Sequence, residues 1–255
     1  MCLILIAHNV HPDYKLIVAA NRDEFYNRPT QPAQYWEKFP TLLAGKDLSA
    51  GGTWLGITKH GKFCAITNFR DLRNLKQEAP SRGDLVLSYL TSEINAFAFI
   101  NKLQTTGYNY NGFNLLFGNV DSLTYYSNQN NESAVLTPGI YGLSNHFLDT
   151  PWFKNTRSKQ MFESIISKSI ISENDLITLL QDRIEAPEEQ LPDTGIGKEW
   201  EKVLSPIFIH SETYGTRCST IITVSQQNEV KFIEVSYNNF GEESEHKSYE
   251  FIIKD

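Results

Sequence analysis

The chain opens with two runs of apolar, largely β-branched residues, 2–7 and 16–20. Between them His11-Pro12-Asp13-Tyr14-Lys15 supplies turn chemistry, so the pattern predicts a β-hairpin. Neither run alternates with polar residues, as expected for central strands covered on both faces. Thr53-Trp54-Leu55-Gly56-Ile57, a turn at Lys59-His60-Gly61-Lys62 and the run 63–68 predict a second hairpin. The period then lengthens. Leu85, Val86, Tyr89 and Leu90 fall three and four apart, predicting a helix that begins at Ser81. Ile94, Phe97, Ala98 and Leu103 predict a second helix capped by Ser92. Strand character returns at 113–118 and 123–127, and helices are predicted near 156–168 and 173–183. The acidic, proline-marked stretch 182–192 reads as a loop. Strands at 218–224, 230–235 and 249–253 close the chain.

Hairpins at both ends with helices between them are not a βαβ repeat, so a doubly wound parallel sheet is not expected. The pattern predicts an α+β fold, antiparallel sheets with helices on their outer faces in a four-layer αββα sandwich. No internal repeat or low-complexity segment divides the chain, and residues 1–255 read as a single domain.

Charge narrows the function classes. Lys and Arg number 23 against 30 Asp and Glu, a net charge of -7, and no basic block occurs. Nucleic-acid binding is not expected, because it needs cations to displace counterions. No apolar run approaches the ~20 residues of a membrane helix. The start lacks a basic segment and turns polar at His8-Asn9, unlike a signal peptide. The three cysteines form no CxxC pair, so a reduced, cytoplasmic protein is expected. Gly45-Lys46 is followed by Asp47 where a P-loop needs Ser or Thr. The six histidines show no zinc or haem-attachment spacing and read as loop or surface residues, and no GxSxG elbow occurs.

One position stands out. Cys2 follows the initiator Met. Removal of Met1 would leave a free α-amine on the residue that carries the thiol. With an ordinary pKa near ~8, that amine can act as a base at neutral pH. Polar residues end the apolar runs that follow. Asn21, Arg22 and Asp23 close the second run, and an extended strand puts Asn21 and Asp23 on one face and Arg22 on the other. An Asp beside Cys2 could hold the α-amine, and an Arg nearby would favour the thiolate. Asn68 ends the run 63–67, Asn145 follows Tyr141-Gly142-Leu143-Ser144, and Arg217 precedes Cys218-Ser219-Thr220. Side-chain amides can donate to an oxyanion, and a fixed guanidinium can hold developing negative charge.

Ala20-Asn21-Arg22-Asp23-Glu24-Phe25-Tyr26, Gly51-Gly52-Thr53-Trp54-Leu55-Gly56, Thr67-Asn68-Phe69-Arg70, Ser81-Arg82-Gly83-Asp84 and Gly112-Phe113-Asn114-Leu115 carry a resemblance. Gly142-Leu143-Ser144-Asn145, Asp149-Thr150-Pro151-Trp152 and Tyr214-Gly215-Thr216-Arg217-Cys218 extend it. Together they resemble the NRDE family, also called Transport and Golgi Organisation 2. A more distant similarity joins Cys2, Asp23, Asn68, Asn145 and Arg217, in order, to N-terminal-nucleophile cysteine hydrolases of the choloylglycine type. That similarity implies an N-terminal-nucleophile αββα fold. It also implies nucleophile Cys2, α-amine partner Asp23, oxyanion donors Asn68 and Asn145 and charge stabiliser Arg217, with no cofactor. Those hydrolases carry their first Arg three residues before the Asp, where this chain has Ala20, its own arginine being Arg22. The resemblance leaves three functions open: hydrolysis of a linear amide through a thioester on Cys2, trafficking or binding of haem as a ligand, and a non-catalytic interaction protein on a hydrolase scaffold.

Overall fold

The structure, a computed structural model, describes residues 2–71, 73 and 75–254, the Cys2 side chain excepted. The first sheet contains β1 (Cys2–His8), β2 (Tyr14–Phe25), β10 (Gly139–Leu143), β11 (Tyr214–Ser225), β12 (Glu229–Tyr237) and β13 (Glu243–Ile252). The second contains β3 (Thr30–Trp36), β4 (Phe39–Asp47), β5 (Leu55–Thr58), β6 (Lys62–Asn68), β7 (Phe113–Asn119), β8 (Ser122–Ser127) and β9 (Glu132–Val135). Strand order is β10-β1-β2-β11-β12-β13 in one and β3 through β9 in sequence in the other, with all pairings antiparallel. Helices α1 (Gly83–Thr91) and α2 (Ala96–Thr106) cover the outer face of the second sheet. Helices α3 (Phe153–Ile166) and α4 (Glu173–Leu180) cover that of the first. The expected αββα layering is observed.

The unalternating N-terminal runs have their reason in this layering. Ile4, Ile6, Leu16 and Val18 turn inward and pack between the sheets against Phe63, Ala65 and Leu116. Their neighbours Leu3, Leu5, Ile17 and Ala19 pack outward against Phe162 of α3 and Leu176 and Leu180 of α4. Each of the Leu, Ile, Val and Phe side chains contributes about 1.5–3 kcal/mol by leaving water. Beneath the other helical layer, Tyr89, Phe99 and Phe117 form a triangle with ring centroids 4.9, 5.1 and 5.2 Å apart.

Several local expectations are corrected. Ser92 does not cap α2; it closes α1 with extended backbone, and Asn95 Oδ1 accepts from the Ala98 amide at 2.9 Å instead. Strand β5 begins at Leu55 rather than Thr53. The pattern also missed β3, β4, β9, β10 and the six-residue helix α5 (Lys198–Val203). β3 carries Pro32 and lies at a sheet edge, and every residue of β9 is exposed, so neither has the apolar signature of a central strand. His8 and His11 are buried, against the surface expectation. The Asp13 amide donates to His11 Nδ1 at 3.1 Å and His11 Nε2 lies 3.2 Å from the Lys168 carbonyl, tying the first hairpin turn to the end of α3.

Phe117→Ala removes the ring shared by the second sheet, α1 and α2. It should lower the free energy of unfolding by about 3–5 kcal/mol in urea titrations. A loss under 1 kcal/mol would mean that the α1–α2 layer is not docked through this triangle.

Candidate functional site

The end of β2, the end of β6 and the start of α1 converge on a cleft of about 350 Å³. Arg22, Asp23, Glu24, Arg28, Asp47, Trp54, Asn68 and Arg82 are among its lining residues. A close backbone approach forms one side: a Cβ on Gly52 would lie 2.6 Å from the Gly83 carbonyl carbon, so the 52–53 segment meets the start of α1 only as glycine.

Register sets the neighbours of the nucleophile candidate. Cys2 pairs with Arg22 in the β1–β2 ladder, and Arg22 pairs with Cys218 on its other side. Arg22 is buried, donates through Nη1 to Thr30 Oγ1 at 3.1 Å, and stacks 4.3 Å from the Trp54 ring. Its Nη2 lies 3.5 Å from Asp47 Oδ2, which also takes Arg28 Nε at 2.7 Å. These cations and main-chain donors hold the Asp47 carboxyl below its usual range despite its burial. The thiol of Cys2 and the state of Met1 lie outside the described residues.

Asp23 and Asn21 face the opposite way, as an extended strand requires. Asp23 is fully enclosed, with Thr216 Oγ1 donating to Oδ1 at 2.8 Å and Lys154 Nζ of α3 lying 3.9 Å from Oδ2. Burial pushes this carboxyl up, and the Lys154 ammonium and the Thr216 hydroxyl draw it back. A bulge in β11 makes the contact possible. The register shifts between Thr216 and Cys218, so Arg217 is the extra residue and Thr216 turns to Asp23. Arg217 itself donates through Nη1 to the carbonyls of Phe25, Tyr26 and Arg28 at 3.0, 3.3 and 3.1 Å, fixing the β2–β3 turn. Asn21 works away from the cleft. Its Nδ2 donates to the Leu180 and Ile207 carbonyls at 2.8 and 2.9 Å, and its Oδ1 accepts from Ser219 Oγ at 2.6 Å.

Asn68 and Asn145 are brought together. Asn145 Nδ2 donates to the Asn68 carbonyl at 2.9 Å, and the Arg70 amide donates to the Asn145 carbonyl at 2.8 Å. A buried relay supports the loop carrying Asn145: Asn114 Nδ2 donates to the His146 carbonyl, Tyr125 OH to Asn114 Oδ1, and the Leu148 amide to Tyr125 OH. The Arg70 guanidinium pairs with Glu201 of α5 at 3.0 Å and lies 4.7 Å from the Trp152 ring. Arg70, Asn114 and Trp54 lie inside the segments that carry the resemblance and Lys154 two residues after one, yet sequence reasoning assigned them no role. An Asn inside the apolar run Gly112-Phe113-Asn114-Leu115-Leu116 was the available signal.

A second buried carboxyl lies between the sheets. The β3–β4 ladder skips between Gln31 and Gln34, which frees the Ala33 amide to donate to Glu234 Oε1 at 2.7 Å. Thr220 Oγ1 and the Cys218 thiol also face this carboxylate. Cys64 is buried in the α1–α2 core, where burial pushes its thiol well up and leaves it unreactive. Among the described residues no group of three His, Cys, Asp or Glu is placed to hold a metal ion, and no helix is long and apolar enough to cross a membrane.

Burial pushes the Glu234 carboxyl above its usual 4.5, against the pull of its hydrogen-bond donors and Arg22. Between 4.5 and the raised folded value the native chain binds more protons than the unfolded one, so this group makes stability fall as pH rises. Glu234→Gln keeps an acceptor for the Ala33 amide and removes the ionisation. Urea unfolding from pH 4.5 to 8 should therefore show the variant gaining on the parent chain as pH rises. Parallel curves would contradict this.

A model of the family described as Transport and Golgi organisation 2 matches residues 1–239. The Transport and Golgi organization 2 homolog of Mus musculus is 38% identical over 276 residues, covering 100% of both chains. Its Homo sapiens counterpart is 37% identical over 276 residues with the same coverage. The Drosophila melanogaster protein is 28% identical over 92% of this chain and 91% of its own. Among solved structures, the C2A mutant of conjugated bile acid hydrolase from Clostridium perfringens aligns with a TM-score of 0.48 at 10% identity, covering 98% of this chain and 97% of that one. An N-acylethanolamine-hydrolyzing acid amidase ortholog from Caenorhabditis elegans aligns at 0.42 and 8% identity, covering 87% and 92%. With full-length relatives at 37–38% identity and a family model matching nearly the whole sequence, the chain belongs to the Transport and Golgi organisation 2 family.

Proposed function

We propose that this protein hydrolyses a small linear amide, with Cys2 as an N-terminal nucleophile. The observation that carries this reading is the register at the strand ends. Cys2 stands opposite Arg22, Asp23 is the next residue along β2, and Arg22, Asp23 and Asn68 line one cleft. After loss of Met1, the Cys2 α-amine takes the thiol proton and Arg22 favours the thiolate. The sulfur attacks the amide carbonyl. Asn68 and Asn145 serve the resulting oxyanion, Asn145 through the N–H it does not spend on the Asn68 carbonyl. The α-ammonium returns its proton to the departing amine, leaving a thioester that water cleaves with the α-amine again as base. Asp23, which accepts from Thr216 and lies 3.9 Å from the Lys154 ammonium, anchors the α-ammonium between these steps. Arg217 contributes by fixing the β2–β3 turn from which Arg28 reaches the cleft.

Intact-mass measurement of untagged protein should show a chain beginning at Cys2; a retained Met1 removes the base and ends this reading. Across a panel of linear amides, Cys2→Ala should abolish turnover and Asn145→Ala should slow it by about 10²–10³-fold. Haem as the ligand of a carrier predicts the reverse pattern. Haemin would then change its absorption saturably on the Cys2→Ala variant, and no amide would be turned over by the unmodified protein.

A further inference from the structure

A second, smaller cavity of about 10 Å³ lies directly behind the cleft, with Ile4, Ala20, Leu55 and Thr220 among its lining residues. Arg22, Trp54 and Ile66 line both spaces, so they form the partition between them. The ladders explain the inner space: Ala20, a small residue, pairs with Ile4 on one side and Thr220 on the other. Thr220 Oγ1 lies 3.4 Å from Glu234 Oε2, so its hydroxyl is engaged and the walls are mainly hydrocarbon. Such a volume is about that of one water and admits no acyl chain. Trp54 is the bulkiest member of the partition, and it is held on three sides. Its carbonyl accepts from the Ile66 amide at 2.9 Å, and the Arg22 guanidinium lies 4.3 Å from its ring. A Cβ on Gly45 would overlap the indole, so β4 admits the ring only as glycine. An indole fixed in this way is a rigid inner wall for the cleft.

We infer that Trp54 sets the acyl-chain length at this site, and that the substrate is an amide of a short carboxylic acid whose chain ends against the indole. The inference rests on the amidase reading and names its substrate class. Chemistry decides which half of the amide lies inward. In a thioester route the amine leaves first and water must then enter, while the acyl group stays bonded to Cys2. The departing half therefore takes the open mouth, where the Arg28 side chain is 36% exposed. The retained half takes the closed end, where Arg22 and Ile66 are buried beside Trp54. A cleft of about 350 Å³ is at the small end of ligand pockets and must hold both halves. Each further methylene would have to displace the indole or back into the path of amine and water. A wall that the correct chain just reaches, and a longer one strikes, is how a packed site discriminates apolar groups by size.

The test assays full-length protein with the p-nitroanilides of acetic, butyric and hexanoic acid, and titrates Cys2→Ala protein calorimetrically with butyramide and hexanamide. The unmodified chain should favour acetyl or butyryl over hexanoyl by about 10-fold or more in kcat/KM. Trp54→Ala joins the two spaces and should raise the hexanoyl-to-butyryl ratio by about 10-fold, with Trp54→Phe moving it the same way by less. The ratio is the readout because loss of the indole also loosens Arg22. A merely structural role would slow every substrate alike and leave the ratio unmoved. Phe240→Ala, in the exposed turn between β12 and β13, should not change it. On Cys2→Ala protein hexanamide should bind no tighter than butyramide, and about 10-fold tighter once Trp54→Ala is added. If Trp54→Ala fails to fold, Trp54→Phe decides in both assays. An unmodified chain that already prefers hexanoyl, or a length preference that stays put in the Trp54 variants, overturns the inference. Turnover with that unmoved preference leaves the amidase reading standing and the role of Trp54 refuted. The shift in binding without turnover of any anilide does the opposite.

Discussion

β2 stays buried on both faces from Leu16 through Asp23, so Asn21, Arg22 and Asp23 must each find partners inside the protein. A buried charge without partners would cost several kcal/mol, enough to consume much of a domain's net stability. The surroundings are organised by that demand. Asn21 collects the ends of α4 and the 207 segment on the helical side. Arg22 draws Thr30, Asp47 and Trp54 onto the side between the sheets. Asp23 takes Lys154 from α3 and Thr216 from β11, which can turn to it only because Arg217 is bulged out. Three adjacent polar residues thereby join the α3–α4 layer and both sheets at the point where the cleft opens.

The same economy runs through the opposite side of the cleft. Asn145 reaches the Asn68 carbonyl because its loop is held by Asn114, Tyr125 and the Arg70 amide, all on or beside the second sheet. Arg70 in turn needs Glu201, and that need explains why the six-residue helix α5 packs here although it lacks an apolar stripe of its own. Removing one member of such a pair typically costs about 3–5 kcal/mol, because the other charge is then stranded. Stability and the geometry of the site are therefore carried by the same side chains.

Periodicity made the layers legible and partnership stayed hidden. Continuous apolar runs at 2–7 and 16–20 announced strands covered on both faces, and three-four spacing announced α1 and α2. Edge strands escaped: β9 has no buried face, and β3 carries a proline and a register shift. The alternation of Asn21, Arg22 and Asp23 followed from extended backbone alone, but the bulge at Arg217 had no local signature. His11 was misread because its burial is set by a contact with Lys168, 157 residues away. Long-range pairs such as Asp23–Lys154 and Arg70–Glu201 leave only a weak trace in sequence, a polar residue at an otherwise apolar position.

Under the proposed reading, a nucleophile at the end of a central strand also solves a mechanical problem. β1 pairs with β10 from Ile4 to His8 and with β2 from Cys2 to His8, so its first residue is fixed in register by the β2 ladder rather than by a loop. A reacting group placed there needs little further ordering, and ordering is the component that costs most when a flexible terminus must be used. The terminus is thus the one part of the chain where a free α-amine and a rigid scaffold can coincide. Charge follows the same logic: Arg22 is immobilised beside it by Trp54 and Asp47. A fixed inner cation suits a bond that must be attacked in one geometry.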